Sequence, residues 1–307
     1  MAPKSIAIDW GSSAFRAFLL DEHNAIVSRA TSSDGVLMLA DKSYEQVIVE
    51  NCGKWLEAAP DLPIIMGGTI GSRNGWKEAP YVSCNTSVAA LAAACVTVDT
   101  DAGWHVQIAP GVSGPNFFGG VDVMRGEELQ VFGALEMQGL NDALVCLPGT
   151  HSKWCVVKQG KITSLTSFMT GEMFALIRRK SMIGSLLVED EFDLPSFMDG
   201  VAGSGSRAGL LHELFSVRAG ILLGNLTCKS AESYLSGLLV GSEIKAAVGA
   251  ADVGRDVILV GNESLTHRYA AALREHDTIS VLVAPDRSFV CGTTLLKHAQ
   301  QEACLAI

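Results

Sequence analysis

The sequence predicts an α/β protein of two domains, and three observations carry that prediction. Residues 6–20, IAIDWGSSAFRAFLL, set a carboxylate at the end of a short apolar strand and follow it with a tight turn of small residues and a second strand. Residues 143–165 repeat this pattern, with Gly149 standing where the first copy has Gly11. A chain of 307 residues that is 48% hydrophobic and carries 31 glycines can bury two cores and supply the turns between short elements.

Ile6, Ala7 and Ile8 are too short an apolar run for a helix, and Trp10, Gly11, Ser12 and Ser13 break the pattern with turn chemistry, so residues 6–20 are expected to form a β-hairpin. Asp9 ends its first strand. Gly11 admits close approach of a ligand, and the N–H groups of Gly11, Ser12 and Ser13 form a concavity suited to phosphate oxygens. A carboxylate beside such a cradle suits Mg²⁺, which keeps several waters and takes one or two carboxylates together with substrate phosphates. Read alone, the same residues also make an ordinary ligand-free turn.

In the second copy the strand LVCL leads into Pro148, Gly149, Thr150, His151 and Ser152, and Lys153 follows. Position 147 is Leu where the first copy has Asp9, so one turn carries a metal carboxylate and the other only phosphate-binding amides. Two such turns make a nucleotide clamp.

Between the copies, residues 44–58 place Val47, Ile48, Trp55 and Leu56 at helical spacing, and Pro60 ends that helix. Residues 63–66 form a buried strand that delivers Gly67, Gly68, Thr69, Ile70, Gly71 and Ser72 to the C-terminal edge of a sheet, where open α/β sheets bind ligands. Arg73, Asn74, Trp76, Lys77 and Glu78 lack periodicity and are expected in a loop. Their cations and aromatic wall suit an anionic polyhydroxy substrate. Residues 87–94 are expected to be helical and 106–109 to be a strand. The glycine-rich stretch 112–122 is expected to be a substrate-side loop. A helix begins near Arg125 and runs through Leu129, Val131, Phe132 and Leu135; Glu127 and Glu128 in its first turn would also be favoured there as capping charges.

Beyond the second copy, Thr170, Gly171 and Glu172 open a helix, and Gly200 to Gly205 mark a loop. Residues 232–248 form a strong helix whose small residues Ser236, Gly237, Gly241 and Ser242 imply close packing or the approach of an adenine ring. Residues 257–260 are a buried strand ending in Gly261, Asn262, Glu263 and Ser264 before a helix at 265–273. A strand at 279–283, a turn at 284–288 and a helix at 293–303 close the chain.

A formal net charge of −10 argues against a nucleic-acid or anionic-membrane surface. Residues 1–4 lead into an apolar run that Asp9 stops after three residues, and the apolar stretch 88–98 is too short to span a bilayer, so no targeting or transmembrane segment is expected. The eight cysteines, at 52, 84, 95, 146, 155, 228, 291 and 304, include no C-x-x-C pair and read as buried thiols of a cytoplasmic protein.

The paired phosphate turns resemble those of the actin, hexokinase and heat-shock-chaperone ATPase superfamily. The strings AIDWGSSAFRAFL, MGGTIGSRNGWKEAPY, DVMRGEE, LPGTHSKW, MTGEMF, LFSVRA, YLSGLLVGSEI and SLTHRY, spread over residues 6–269, are similar to its 2-dehydro-3-deoxygalactonokinase family. The resemblance implies an α/β fold of two ribonuclease H-like (actin-like ATPase) domains with a nucleotide cleft between them. Residues 1–136 would form the domain with substrate-side loops, and 137–307 the domain with the adenosine site. It implies ATP-dependent phosphorylation of 2-dehydro-3-deoxy-D-galactonate at O6, giving the 6-phosphate and ADP, in galactonate catabolism. The implied cofactors are ATP and Mg²⁺. The implied partners are the sugar acid and ATP, with no nucleic acid and no membrane, and a homodimer is the candidate assembly.

The resemblance also distributes roles. In the sugar kinases of the superfamily a carboxylate opening the helix before the second phosphate turn is the catalytic base, a place held here by Glu127 and Glu128. The superfamily more often has Asp there, and Glu127 is favoured because it directly follows Gly126. Asp9 would hold the metal. Gly11, Ser12, Ser13, Gly149, Thr150, His151 and Lys153 would bind the phosphates, and Gly261 and Ser264 the adenosine. Arg16, Gly71, Ser72, Trp76, Lys77 and Arg125 would bind the substrate, since an acidic protein must concentrate its cations where two anionic ligands meet. Two readings compete with this one. A kinase for another sugar or sugar acid would share the ATP machinery. An actin-like or chaperone-like ATPase would need interaction insertions for which 307 residues leave little room.

Overall fold

The computed structural model describes residues 3–251 and 256–305, so Met1 and Ala2, part of the amino-terminal stretch considered above, lie outside the described residues. The chain forms two compact units, one of Met1–Asp142, Val157–Leu165 and Ala284–Ile307, the other of Ala143–Val156 and Thr166–Val283.

In the first unit, β1 (Pro3–Trp10) pairs antiparallel with β2 (Phe15–Asp21), Asp9 opposite Arg16, and β3 (Ile26–Ser32) extends the meander. Ile6, Ala7, Ile8 and Trp10 are all buried, which is why β1 reads as a nearly continuous apolar run rather than an alternating one. The helix α1 (Tyr44–Ala58) opens on a capping box in which Ser43 and Gln46 each accept the other's backbone N–H, and it buries Val47, Ile48, Cys52 and Leu56. Then follow β4 (Ile64–Gly67), β5 (Tyr81–Ser83), α2 (Val88–Ala93), β6 (Val96–Val98), β7 (Val106–Ile108), β8 (Gly111–Pro115), β9 (Val121–Met124) and α3 (Glu127–Gln138). The main sheet runs β3-β2-β1-β4-β7-β6, with β4 parallel to β1 and β7 parallel to β4; β5, β8 and β9 make a small separate sheet. The loop expected over 112–122 is therefore largely the hairpin β8–β9. Its turn is held by Asn116, whose side-chain oxygen accepts the N–H groups of Phe118 and Gly120 at 3.0 and 2.8 Å, and the surrounding glycines hid that pairing.

The second copy builds β10 (Ala143–Leu147), β11 (Ser152–Lys158) and β12 (Lys161–Phe168), followed by α4 (Thr170–Lys180), α5 (Leu194–Gly203), α6 (Leu210–Leu222), α7 (Ala231–Ala250), β13 (Val257–Val260), α8 (Glu263–Arg274) and β14 (Ser280–Val283). The sheet order β12-β11-β10-β13-β14, with β13 parallel to both β10 and β14, repeats the order β3-β2-β1-β4-β7. The sequence repeat is thus a repeat of topology, and the fold is the ribonuclease H-like, actin-like ATPase arrangement.

Expectations on particular elements are corrected. Residues 200–203 end the helix α5 rather than sit in a loop: a Cβ on Gly200 would lie 2.1 Å from the Tyr234 carbonyl oxygen and one on Gly237 1.9 Å from that of Phe197, so the two helices cross backbone to backbone. Gly237 and Gly241 on α7 accordingly serve close packing against α5. The last helix, α9 (Pro285–Leu305), starts where a turn was expected, proline being well suited to a first helical turn. It returns to the first unit because α3 and α9 interlock: a Cβ on Gly133 would lie 1.9 Å from the Ser288 carbonyl oxygen, and one on Gly292 1.9 Å from that of Leu129. The first compact unit thus takes in residues 137–142, Val157–Leu165 and Ala284–Ile307 as well. Finally, Cys228 and Cys304 are exposed rather than buried.

Candidate active site

The first turn is fixed by its own backbone. Gly11 N–H donates to the Ala14 carbonyl at 3.0 Å, while the carbonyls of Gly11 and Ser12 accept from Val36 and Leu37, each at 3.0 Å, so the loop after β3 braces the turn from behind. Gly35 is what allows this approach, since a Cβ there would stand 2.3 Å from the Ser13 carbonyl carbon. Ser12 and Ser13 remain exposed, and Ser12 Oγ is 2.9 Å from Thr69 Oγ1. At the end of β1, Asp9 Oδ2 accepts from Arg16 Nη2, and Arg16 Nη1 donates to Asp286 at 3.2 Å. Asp9 Oδ1 has no hydrogen-bond partner among the described residues. Burial outweighs the Arg16 charge and raises the Asp9 pKa above its ordinary value.

Two glycines bring the first turn of α3 against this strand end. Gly68, at φ 99°, follows β4, and a Cβ on it would lie 2.7 Å from the Trp10 carbonyl oxygen and 3.5 Å from Asp9 Oδ1. Gly126, at φ 105°, precedes α3, and a Cβ on it would lie 2.9 Å from Gly68 Cα. Only glycine tolerates both the positive φ and the contact. The two carboxylates that follow then diverge. Glu128 is fully buried, and both its oxygens accept Gly126 N–H, at 2.9 and 2.8 Å; burial and the neighbouring Glu127 charge push it up to about 8. Glu127 is half-buried and accepts Arg125 N–H at 3.0 Å.

In the second unit, Thr150 and His151 are exposed at the tip of the turn after β10. The start of α4 lies against them: Glu172 N–H donates to the Thr150 carbonyl at 2.9 Å, and His151 Nε2 is 2.5 Å from Glu172 Oε2. A Cβ on Gly171 would be 2.4 Å from the Gly149 carbonyl oxygen, so this approach too needs glycine. Lys153 is placed differently from expectation, because its position on β11 turns it inward and its ammonium donates to Ser167 Oγ at 2.6 Å.

Sequence reasoning missed Glu243 on α7. Its buried carboxylate accepts from Trp154 Nε1 at 2.8 Å, from Tyr269 OH at 2.8 Å and from Thr170 Oγ1, tying α7 to β11, α8 and the start of α4. Its only signal in the sequence is an acidic residue flanked by the apolar LLV run and Ile244 of α7. Glu243→Ala is expected to lower unfolding stability by about 3 kcal/mol or more, because several buried donors lose their acceptor together. Urea unfolding measures it, and a loss below about 1 kcal/mol would show that the network relaxes onto other partners.

The profile of the 2-keto-3-deoxy-galactonokinase family matches residues 9–296, a span from Asp9 to α9. The chain belongs to this family. It is similar to the 2-dehydro-3-deoxygalactonokinase of Escherichia coli (strain K12), 33% identical with 97% of this chain and 99% of that one covered. A crystal structure from Sinorhizobium meliloti, assigned as a 2-dehydro-3-deoxygalactonokinase, superposes with a TM-score of 0.86 at 32% identity, covering 97% of this chain and 99% of that one. The activator of 2-hydroxyisocaproyl-CoA dehydratase from Clostridium difficile shares the fold alone, with a TM-score of 0.56 at 16% identity over 99% of this chain and 97% of that one. Membership in the galactonokinase family makes the chain a sugar-acid kinase of galactonate catabolism, a phosphotransferase that uses ATP and an alcohol acceptor.

In this kinase the expected substrate residues separate into two groups. Arg125 and Gly71 are in contact, a Cβ on Gly71 lying 3.1 Å from Arg125 Nη1. The guanidinium stacks 4.2 Å from the Tyr81 ring centre and donates to the Ala79 carbonyl at 2.9 Å, while Nε and Nη1 are buried without a hydrogen-bond partner. Ser72, half-buried, follows Gly71 directly. The other three have partners elsewhere: Trp76 stacks on Tyr44 at 5.5 Å and packs against the core, Lys77 donates to the Thr97 carbonyl at 2.6 Å, and Arg16 is held by Asp9 and Asp286.

The second unit holds a cavity of about 100 Å³ lined by Gly149, Gly171, Phe174, Leu239, Leu265 and Arg268 among others. Gly261 and Ser264 do not line it; residues one turn further along the same helix do. Arg268 lies 4.1 Å over the Phe192 ring, and its Nε is buried without a hydrogen-bond partner. No helix among the described residues is long and apolar enough to cross a membrane.

Proposed function

We propose that the chain transfers the γ-phosphoryl group of ATP to O6 of 2-dehydro-3-deoxy-D-galactonate, with Glu127 as the base and Asp9 as the Mg²⁺ carboxylate. The observation that supports this most is the contact of Gly68 with Gly126, which sets the first turn of α3 beside the strand end that carries Asp9. The donor set fits a hard cation, since Asp9 offers a partner-free Oδ1 and the Ser12 and Thr69 hydroxyls stand together nearby in the chain's fold. Mg²⁺ held there would neutralise charge on the phosphate oxygens.

The chain's own groups perform the remaining tasks. Glu127, the less buried of the two glutamates, accepts the O6 proton as O6 bonds to phosphorus and the bond to the ADP oxygen breaks. The amides of Gly11, Ser12 and Ser13 and those of Gly149, Thr150 and His151 hold phosphate oxygens, and the N-terminus of α4 adds its dipole at the second turn. Leu265, Arg268 and Phe174 line the adenosine site. Arg125 on Gly71 supplies the cation for the substrate carboxylate. The first unit thus carries the acceptor side and the second the adenosine side. A cytoplasmic location accords with eight free cysteines.

An ADP-coupled panel of glucose, galactonate, 2-dehydro-3-deoxygluconate and 2-dehydro-3-deoxygalactonate tests the assignment, with the phosphate position read by NMR. Turnover is expected with the galactonate-derived keto acid and phosphate at O6. Preference for glucose would overturn the anionic-acceptor reading, and preference for the gluconate-derived acid would change the configuration recognised while leaving the chemistry in place.

A further inference from the structure

Two arginines that the reaction does not use, Arg29 and Arg287, line a second cavity, in the first unit. It measures about 520 Å³ and is formed by the β2–β3 turn, the end of α3 and the first turns of α9, a size in the range of small-metabolite sites and well beyond a bare phosphate. Its polar lining is Arg29, Arg287, His23 and Asn24, with Thr294 from α9. Arg287 has no ion pair or hydrogen bond among the described residues, and the Thr294 hydroxyl is buried without a hydrogen-bond partner. Of the nearby acids, Asp286 lies between two arginines and Glu22 lies 3.8 Å from His23, while Glu136 near the end of α3 acts electrostatically on Cys291 in the lining. Unspent donors around a cavity of this size select an anion with a body attached.

One of these cations is also wired to the phosphate turn. Arg29 Nη1 donates to Asp286 Oδ2 at 2.8 Å, Asp286 Oδ1 accepts from Arg16 Nη1 at 3.2 Å, and Arg16 Nη2 holds Asp9 Oδ2. All four residues belong to the first unit. We infer that this cavity binds a phosphorylated, sugar-sized metabolite through Arg29, Arg287 and Thr294, and that this binding loosens Arg16 from Asp9. An anion that takes Arg29 from Asp286 leaves Asp286 to draw Arg16 alone, so the Asp9 carboxylate is freed for its role at the phosphate turn. The binding itself is independent of the kinase assignment; the coupling rests on the role proposed for Asp9.

Calorimetric titration of the full chain with 6-phosphogluconate, inorganic phosphate and gluconate tests the site. Saturable binding of 6-phosphogluconate, weakened about tenfold or more by Arg287→Glu and about threefold or more by Thr294→Val, is expected. Binding that survives Arg287→Glu unchanged would place the ligand elsewhere and overturn the site, while equal binding of inorganic phosphate would overturn the sugar-sized assignment. In the kinase assay, saturating 6-phosphogluconate is expected to lower the half-saturating Mg²⁺ concentration in the wild type and not in Arg287→Glu. Binding without that shift would overturn the coupling and leave the cavity as a plain anion site.

Discussion

Asp9→Asn is expected to abolish measurable turnover, by about three orders of magnitude or more, while the chain stays folded. The side chain ends β1 instead of filling the core formed by Ile6, Ile8 and Trp10, and asparagine retains an acceptor for Arg16 while losing the charge that a divalent cation requires. The sign of the titration supports a folded variant. Burial raises the Asp9 pKa, so holding this carboxylate ionised at neutral pH costs stability, and the neutral amide removes that cost. Circular dichroism and an ADP-release assay read the two halves separately. Wild-type-like turnover would remove Asp9 from the site, and loss of the folded spectrum would make it a structural residue.

Glu127→Gln is expected to lower the rate by a factor on the order of 10² to 10⁴, the usual worth of a positioned base, with ATP affinity largely kept. Glu128→Gln is expected to do something different. With its pKa near 8, Glu128 holds its proton at neutral pH, when a base must be free of one, and both its oxygens are already committed to Gly126. A buried acid with a raised pKa binds its proton more tightly in the folded than in the unfolded chain. Its contribution to stability is therefore full below pH 4.5 and is lost as pH rises toward 8, by about 4 kcal/mol. Glutamine keeps an acceptor for Gly126 and cannot ionise, so urea unfolding of Glu128→Gln should show a flatter dependence between pH 5 and 8 than the wild type. A large rate loss in Glu128→Gln with little in Glu127→Gln would exchange the two roles.

Much of this protein was legible in its residues because local rules sufficed. The run of Ile6 to Ile8 before a glycine turn, the helix of Val47, Ile48 and Leu56 between its Ser43 cap and Pro60, and the second copy of the hairpin at Gly149 all report interactions between residues close in sequence. The repeat marked two like hairpins, which the structure extends into two sheets of the same order. Charges were legible only as residue types. That Lys153 serves Ser167, that Trp76 stacks on Tyr44 and that Arg16 joins Asp9 to Asp286 depends on partners 14, 32 and 270 residues away for which spacing carries no signal. The same holds for Glu243, whose donors come from three other elements, and for the choice between Glu127 and Glu128, adjacent residues of one type that a helix turns in different directions. Glycine roles were open for the same reason: Gly200 was expected in a loop, and Gly237 in close packing or beside an adenine ring, and each is there because another helix's carbonyl occupies the space of its missing side chain. The sequence by itself determined the strands, the turns and the chemical classes of the groups available. Tertiary structure alone decided which of those groups remain free to meet a ligand, because a side chain's partner is selected by distance in space and by burial, neither of which is a property of its neighbours in the chain.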